Sequence, residues 1–141
     1  MRSKQFVLDP NIYISYFISR NQSYLATVVL RHKIVVVICD ELIDEFKKVL
    51  EYPRLAKFNI DKRLAVKFLQ TTGTIHKLIY PIKRYIPKDE NDDYLIALAL
   101  QTSSGFITSG DDDILLEKTN LEREYQKLKI LTKSEFEQMF P

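Results

Sequence analysis

Residues 34–39 read IVVVIC and residues 40–50 read DELIDEFKKVL. The first stretch is a continuous, mostly β-branched run, the pattern of a strand covered on both faces. The second opens on Asp40, a good helix-starting residue, and sets Leu42, Ile43, Phe46, Val49 and Leu50 along one helical face. A strand that passes directly into an amphipathic helix is the building unit of α/β folds.

The same alternation extends both ways. Gln5–Leu8 reads as a short buried strand ending at Asp9-Pro10-Asn11, and Pro10 suits the first turn of a helix. Ile12, Tyr16 and Phe17 continue that helix to about Ser19, and Tyr24–His32 forms another. Pro53 interrupts the helix that Asp40 began, Leu55–Phe58 fits a short turn, and Asp61–Thr71 is amphipathic through Leu64, Phe68 and Leu69. Ile75–Tyr80 is expected as a third strand. Pro81–Asn91 reads as an exposed connection. Asp92 or Asp93 then opens a helix over Tyr94–Gln101. Phe106–Thr108 and Lys129–Leu131 are strand-like, and Thr132-x-x-Glu135 is a capping-box pattern for a final helix. The expectation is a single domain over residues 1–141, with a mostly parallel central sheet of about five strands and helices on both faces.

Composition narrows the function classes. The chain has 141 residues, 45% hydrophobic and 28% charged, with a net charge of +2. That charge is too small to argue for nucleic-acid binding by itself. No apolar run approaches the length of a membrane span. Strand pattern begins within a few residues of Met1, so no signal peptide is expected. The single Cys39 has no intramolecular partner and fits a small buried hydrophobe, so a reducing, cytoplasmic setting is expected. Only three glycines are present, without a phosphate-cradling loop. His32 and His76 lie far apart and form no zinc or nucleophile pattern.

Four acids stand at informative places: Asp9 after the first strand, Glu45 one turn into the third helix, Asp93 at the start of the Tyr94 helix, and Asp111 in TSGDDDILL. Sites in open α/β sheets form outside the carboxyl ends of the strands. Carboxylates gathered there without basic neighbours repel one another and call for a cation, with Mg²⁺ or Mn²⁺ and phosphodiester chemistry as the natural match. Each acid also has a plain alternative as a cap, a turn former or a solvated charge. Order and spacing together favour a shared site.

These motifs resemble the PIN domain, in particular the VapC-like ribonuclease toxins of toxin–antitoxin systems. The resemblance runs from Gln5 to Phe140. It rests on Asp9-Pro10-Asn11-Ile12, on Glu45–Leu50, on the Asp92–Ala99 helix, on Ser109–Leu115, and on the closing strand and helix through Leu131–Phe136. It implies Asp9, Glu45, Asp93 and Asp111 as catalytic metal ligands, with Asp113 as an outer contributor. Asn11, Ser109 and Asp92 would support them from behind. Pro10 stands where the family usually has Thr, and the charged stretch Glu117–Lys127 looks inserted. The resemblance further implies cleavage of RNA, a cognate antitoxin protein, no membrane, and a homodimer as one option.

Lys47, Lys48, Lys83, Arg84 and Lys88 are candidate RNA phosphate contacts, with Tyr80 and Tyr85 near enough to stack on bases; a solvated basic face is the competing reading. Tyr13, Tyr16 and Phe17 fit either the core or a subunit interface. Alternatives for the whole chain are a PIN nuclease for RNA processing or DNA without an antitoxin, a non-catalytic PIN-like binding module, and a phosphoacceptor receiver. The last would want paired acids after the first strand, where Asp9 stands alone.

Overall fold

The computed structural model describes residues 4–141. Met1–Ser3, part of the expected domain span, lie outside the described residues. Five strands form one sheet: β1 (Gln5–Leu8), β2 (Val35–Ile38), β3 (Gly73–Ile75), β4 (Phe106–Thr108) and β5 (Lys129–Leu131). Their order across the sheet is β3-β2-β1-β4-β5 and every pairing is parallel. The helices are α1 (Pro10–Ile18), α2 (Gln22–Arg31), α3 (Asp40–Leu50), α4 (Lys62–Thr72), α5 (Asp93–Gln101), α6 (Asp112–Leu116), α7 (Lys118–Glu124) and α8 (Lys133–Met139). Short 3₁₀ turns occupy Pro53–Phe58 and Glu90–Asp92.

The sheet is covered on both sides. Successive residues of a strand point to opposite faces, and Phe6, Val7 and Leu8 are all buried, as are Val36, Val37 and Ile38. Phe6 stacks on Phe106 at 4.7 Å and meets Phe136 edge-on at 5.4 Å, which ties the closing helix to the central strands. Tyr13 and Tyr16 belong to the core rather than to a subunit interface; both are about 1% exposed. Phe17 packs edge-on against Phe68 at 5.4 Å. Cys39 is buried and unpaired.

Local chemistry explains most boundaries. Asp61 caps α4 by accepting from Leu64 N–H, and Thr132 with Glu135 forms the expected capping box of α8. The third strand departs from its expected place. It begins at Gly73, directly against the end of α4, and ends at Ile75. A Cβ at position 73 would lie 2.8 Å from the Leu69 carbonyl oxygen and 3.0 Å from Ile38 Cγ2, so only glycine lets helix turn into strand without a linker. Beyond His76 the apolar run leaves the sheet. There the Gln101 side chain takes the place of a neighbouring strand, accepting from Ile79 N–H and donating to its carbonyl oxygen. The charged stretch Glu117–Lys127 also has structure. It holds α7, buries Leu121, and turns Glu122 to accept from Ile130 N–H on β5.

The sheet order sets the location of the site. From β1 the chain first moves outward to β2 and β3, then crosses to β4 on the other side and continues to β5. The reversal lies between β1 and β4, and the loops leaving those two strands diverge there to leave a crevice at their carboxyl ends. Asp9 follows β1 and Ser109 follows β4 at that crevice.

Candidate metal centre

Asp9 is the N-cap of α1 and is 2% exposed. Its Oδ1 accepts from Asn11 N–H at 3.0 Å and its Oδ2 accepts from Ser109 Oγ–H at 2.9 Å. Ser109 Oγ in turn accepts from Asp111 N–H at 3.0 Å, and Asp111 Oδ1 accepts from Asp113 N–H at 2.8 Å. One hydroxyl therefore links the two strand-end acids and fixes both loops. Asn11 acts here through its backbone, and its side chain is exposed. Asp113 supplies its own N–H to Asp111 and is half-buried beside it.

Glu45 comes from α3, whose buried Leu42, Phe46 and Val49 hold the helix against the core. Its Oε2 accepts from Tyr94 O–H at 3.0 Å. The last contributors come from the connection before α5. Asp89 caps a 3₁₀ turn that ends at Asp92. The Asp89 Oδ1 accepts from Asn91 N–H at 3.0 Å, which holds its side chain against the turn. Carboxylate oxygens of Asp89, Asp92 and Asp111 lie within 4.8 Å of one another.

Asp93 is not brought to this group. Its Oδ1 accepts from Tyr85 N–H at 2.8 Å and Ile86 N–H at 2.7 Å, and its Oδ2 accepts from Arg84 Nε at 2.6 Å. Consecutive helical residues diverge by about 100°, and the Asp92 and Asp93 side chains point different ways here. Asp92, expected only as a supporting residue, faces the other acids, while Asp93 anchors the 84–86 segment. Asp89 does not stand out in the sequence. The signal available is the Asp89-x-x-Asp92 spacing ahead of the helix.

The electrostatics mark a shared field. Burial pushes the Asp92 carboxyl up to about 8, and the charges of Asp111, Asp89, Asp9 and Glu45 add to it. Burial, followed by the charge of Asp9, raises Glu45 to about 7 against the pull of the Tyr94 hydrogen bond, with Asp89 and Asp111 adding smaller pushes. Asp9 is raised by burial, opposed by its bonds from Asn11 and Ser109, with Asp111 adding to the rise. Among the described residues none of these five acids has an ion-pair partner.

Buried Asp92 Oδ2 also has no hydrogen-bond partner. An unpaired buried carboxylate oxygen within a group of acids is costly unless a proton or a cation satisfies it. Hard oxygen donors at this separation fit Mg²⁺ or Mn²⁺. Beside Glu45 a cavity of about 450 Å³ opens to solvent, lined by Glu41, Asp44, Glu45, Lys48, Tyr52, Asn91 and Tyr94.

The residues expected to touch RNA scatter. Lys48 lines that cavity, Lys47 lies in a groove against α4, and Lys83 and Lys88 are exposed. Arg84 is committed to Asp93, with Glu90 at 4.0 Å. The Tyr80 hydroxyl donates to Glu41, and the Tyr85 ring lies edge-on to Tyr125 at 6.1 Å.

A family model described as the PIN domain matches residues 5–113 of this chain. The chain belongs to the PIN domain family. The matched span carries β1 to β4 and all of Asp9, Glu45, Asp89, Asp92 and Asp111, while β5 and α8 lie beyond it. A similar fold occurs in the crystal structure of VapBC2 from Rickettsia felis bound to a DNA fragment from their promoter. The TM-score is 0.58 and the identity 11%, over 91% of this chain and 98% of that one. No curated protein matches the chain. PIN domains are generally nucleases and typically use divalent metal, in keeping with this carboxylate cluster. No helix among the described residues is long and apolar enough to cross a membrane.

Proposed function

We propose that this PIN domain is a Mg²⁺- or Mn²⁺-dependent endoribonuclease and the toxin of a toxin–antitoxin pair, acting in the cytoplasm. The observation that carries this reading is the convergence of Asp89, Asp92 and Asp111, with one Asp92 oxygen unpaired and with Asp9 and Glu45 acting in the same electrostatic field. In this reading Asp9, Asp92 and Asp111 hold the ion with Asp89, and Glu45 closes the site from α3. Asp93 takes the role of a positioning residue. When bound, the ion polarises the scissile phosphate and activates the attacking water. Ser109 holds Asp9 and the Asp111 backbone in place. Tyr94 orients Glu45, and burial raises the Glu45 and Asp92 carboxyls in the metal-free site. The antitoxin partner is supported by the likeness to a VapBC2 chain, whose structure contains such a complex. A homodimer is compatible with this reading.

The direct test is cleavage of a mixed panel of RNAs with Mg²⁺, with Mn²⁺ and with EDTA. Cleavage is expected with either ion and none with EDTA; EDTA-resistant cutting would refute the metal site. Growth arrest on expression, relieved by co-expressing a neighbouring gene product, separates a toxin from a nuclease without an antitoxin.

Metal and protons compete for the same oxygens. Glu45 and Asp92 have pKa values raised above those of the unfolded chain. Their contribution to metal-free stability is therefore complete in acid and is lost as pH rises through about 7 and about 8. Metal affinity should move the opposite way and strengthen from pH 6 to pH 8. At 100-fold excess over Kd, Mn²⁺ should stabilise the fold by about 2.7 kcal/mol. Thermal melts with and without Mn²⁺ across this pH range check both trends, and an Mn²⁺ shift that shrinks with rising pH would contradict them.

A further inference from the structure

Between α3 and α4 runs a groove of about 610 Å³ lined by Lys47, Lys62, Arg63, Val66, Lys67 and Gln70. Four of these six residues are cations and none is an acid. Lys62 is bonded to Glu51 at the rim, whereas Lys47, Arg63 and Lys67 have no ion-pair partner among the described residues. Arg63 and Lys67 stand one turn apart, about 6 Å along the helix axis. Like charges at that spacing oppose helix formation, so this pairing brings α4 no intrinsic gain. Val66 is the sole apolar side chain, too little for the buried stripe of a partner helix. Apolar side chains concentrate in a neighbouring groove between α2 and α4, lined by Ala26, Val29, Leu30, Leu64 and Phe68, with Lys67 on the ridge shared by the two.

The basic groove adjoins the carboxylate site through a single helix. On α3, Lys48 lines the cavity that holds Glu45, and the next residue round the helix, Lys47, lines the groove. A chain of phosphates leaving the carboxylates past Lys48 would meet Lys47 next, then Arg63 and Lys67. Resting on the ribonuclease reading above, we propose that the α3–α4 groove binds the phosphate backbone of the RNA substrate outside the cleavage centre.

The test measures binding of a mixed-sequence, single-stranded RNA oligonucleotide over a range of salt, with Asp92→Asn as the uncut parent. Each phosphate that the groove ceases to neutralise should reduce the slope of log K against log salt by about 0.7, so Arg63→Glu with Lys67→Glu should reduce it by about 1.4. Affinity at low salt should fall at least about tenfold. Arg123→Glu with Lys127→Glu makes the same change in net charge at exposed positions elsewhere and should leave the slope as it was. Arg63→Lys with Lys67→Arg should restore parental behaviour. If the charge reversal lowers the melting temperature, Arg63→Gln with Lys67→Gln gives the same readout with less perturbation.

An unchanged slope in the groove variant, or equal reductions in both charge-reversed variants, overturns the groove and leaves the ribonuclease reading intact. So does a groove variant that keeps its RNA slope but no longer binds a co-expressed antitoxin, which would make the surface a protein site. Failure of the wild-type chain to bind or cut RNA at all removes the ribonuclease reading itself.

Discussion

Asp92→Asn should abolish RNA cleavage and at the same time make the metal-free protein more stable. Removing a carboxylate that holds the ion is expected to lower the rate by at least about a hundredfold, since even residues that only support a ligand commonly matter that much. The gain in stability comes from repulsion. Two carboxylates 4.8 Å apart repel by about 3.5 kcal/mol at an effective dielectric of 20, and Asp92 faces both Asp89 and Asp111 at this range or closer. Asp89 and Asp111 are partly solvated, so a net gain of about 2 kcal/mol at pH 8 is a fair expectation. The new amide can also donate to their oxygens. The gain should shrink toward pH 5, where Asp92 is already protonated in the folded chain. Single-turnover cleavage and denaturant melts at the two pH values provide the check. A variant that melts lower than wild type at pH 8 would mean that Asp92 is a structural acid.

Asp93→Ala, one residue further on, should do the reverse. Its buried carboxylate accepts two backbone N–H groups and the Arg84 guanidinium, so truncation strands donors that the fold has already desolvated. Ile86 N–H lies in a fully buried residue. Losses of this kind are worth about 1–3 kcal/mol for each unsatisfied buried group, and the ion pair adds little because Arg84 is largely exposed. A total of about 3 kcal/mol is expected, seen as a lower denaturation midpoint with an unchanged m-value. Cleavage per folded molecule should persist in Asp93→Ala, although a displaced 84–86 segment would slow it. Complete loss of activity with full stability would return Asp93 to the metal centre. The two neighbouring aspartates thus separate catalysis from stability in one experiment.

The fold was readable because its signals are local. The β-branched run before Asp40, Pro10 at a helix start, and the Thr132–Glu135 box each specify an element within a few residues. Their alternation implied a parallel sheet without reference to distant contacts. Asp9, Glu45 and Asp111 could be nominated for the same reason, since Asp9 and Asp111 stand where a strand meets a helix and Glu45 one turn into the helix that follows β2. The 76–80 run was harder. Its apolar residues read as a strand, but β3 had already formed at Gly73, and Gln101 holds Ile79 instead.

By itself the sequence determined the order of strands and helices and nominated acids at the strand ends, because hydrophobic period and capping chemistry act along the chain. Only the tertiary structure decided that Asp92 and Asp89, rather than Asp93, join Asp111. A rotation of about 100° separates neighbouring side chains on a helix. Which of them faces the acids depends on the 84–86 segment, which donates to Asp93 from outside the helix and turns it away.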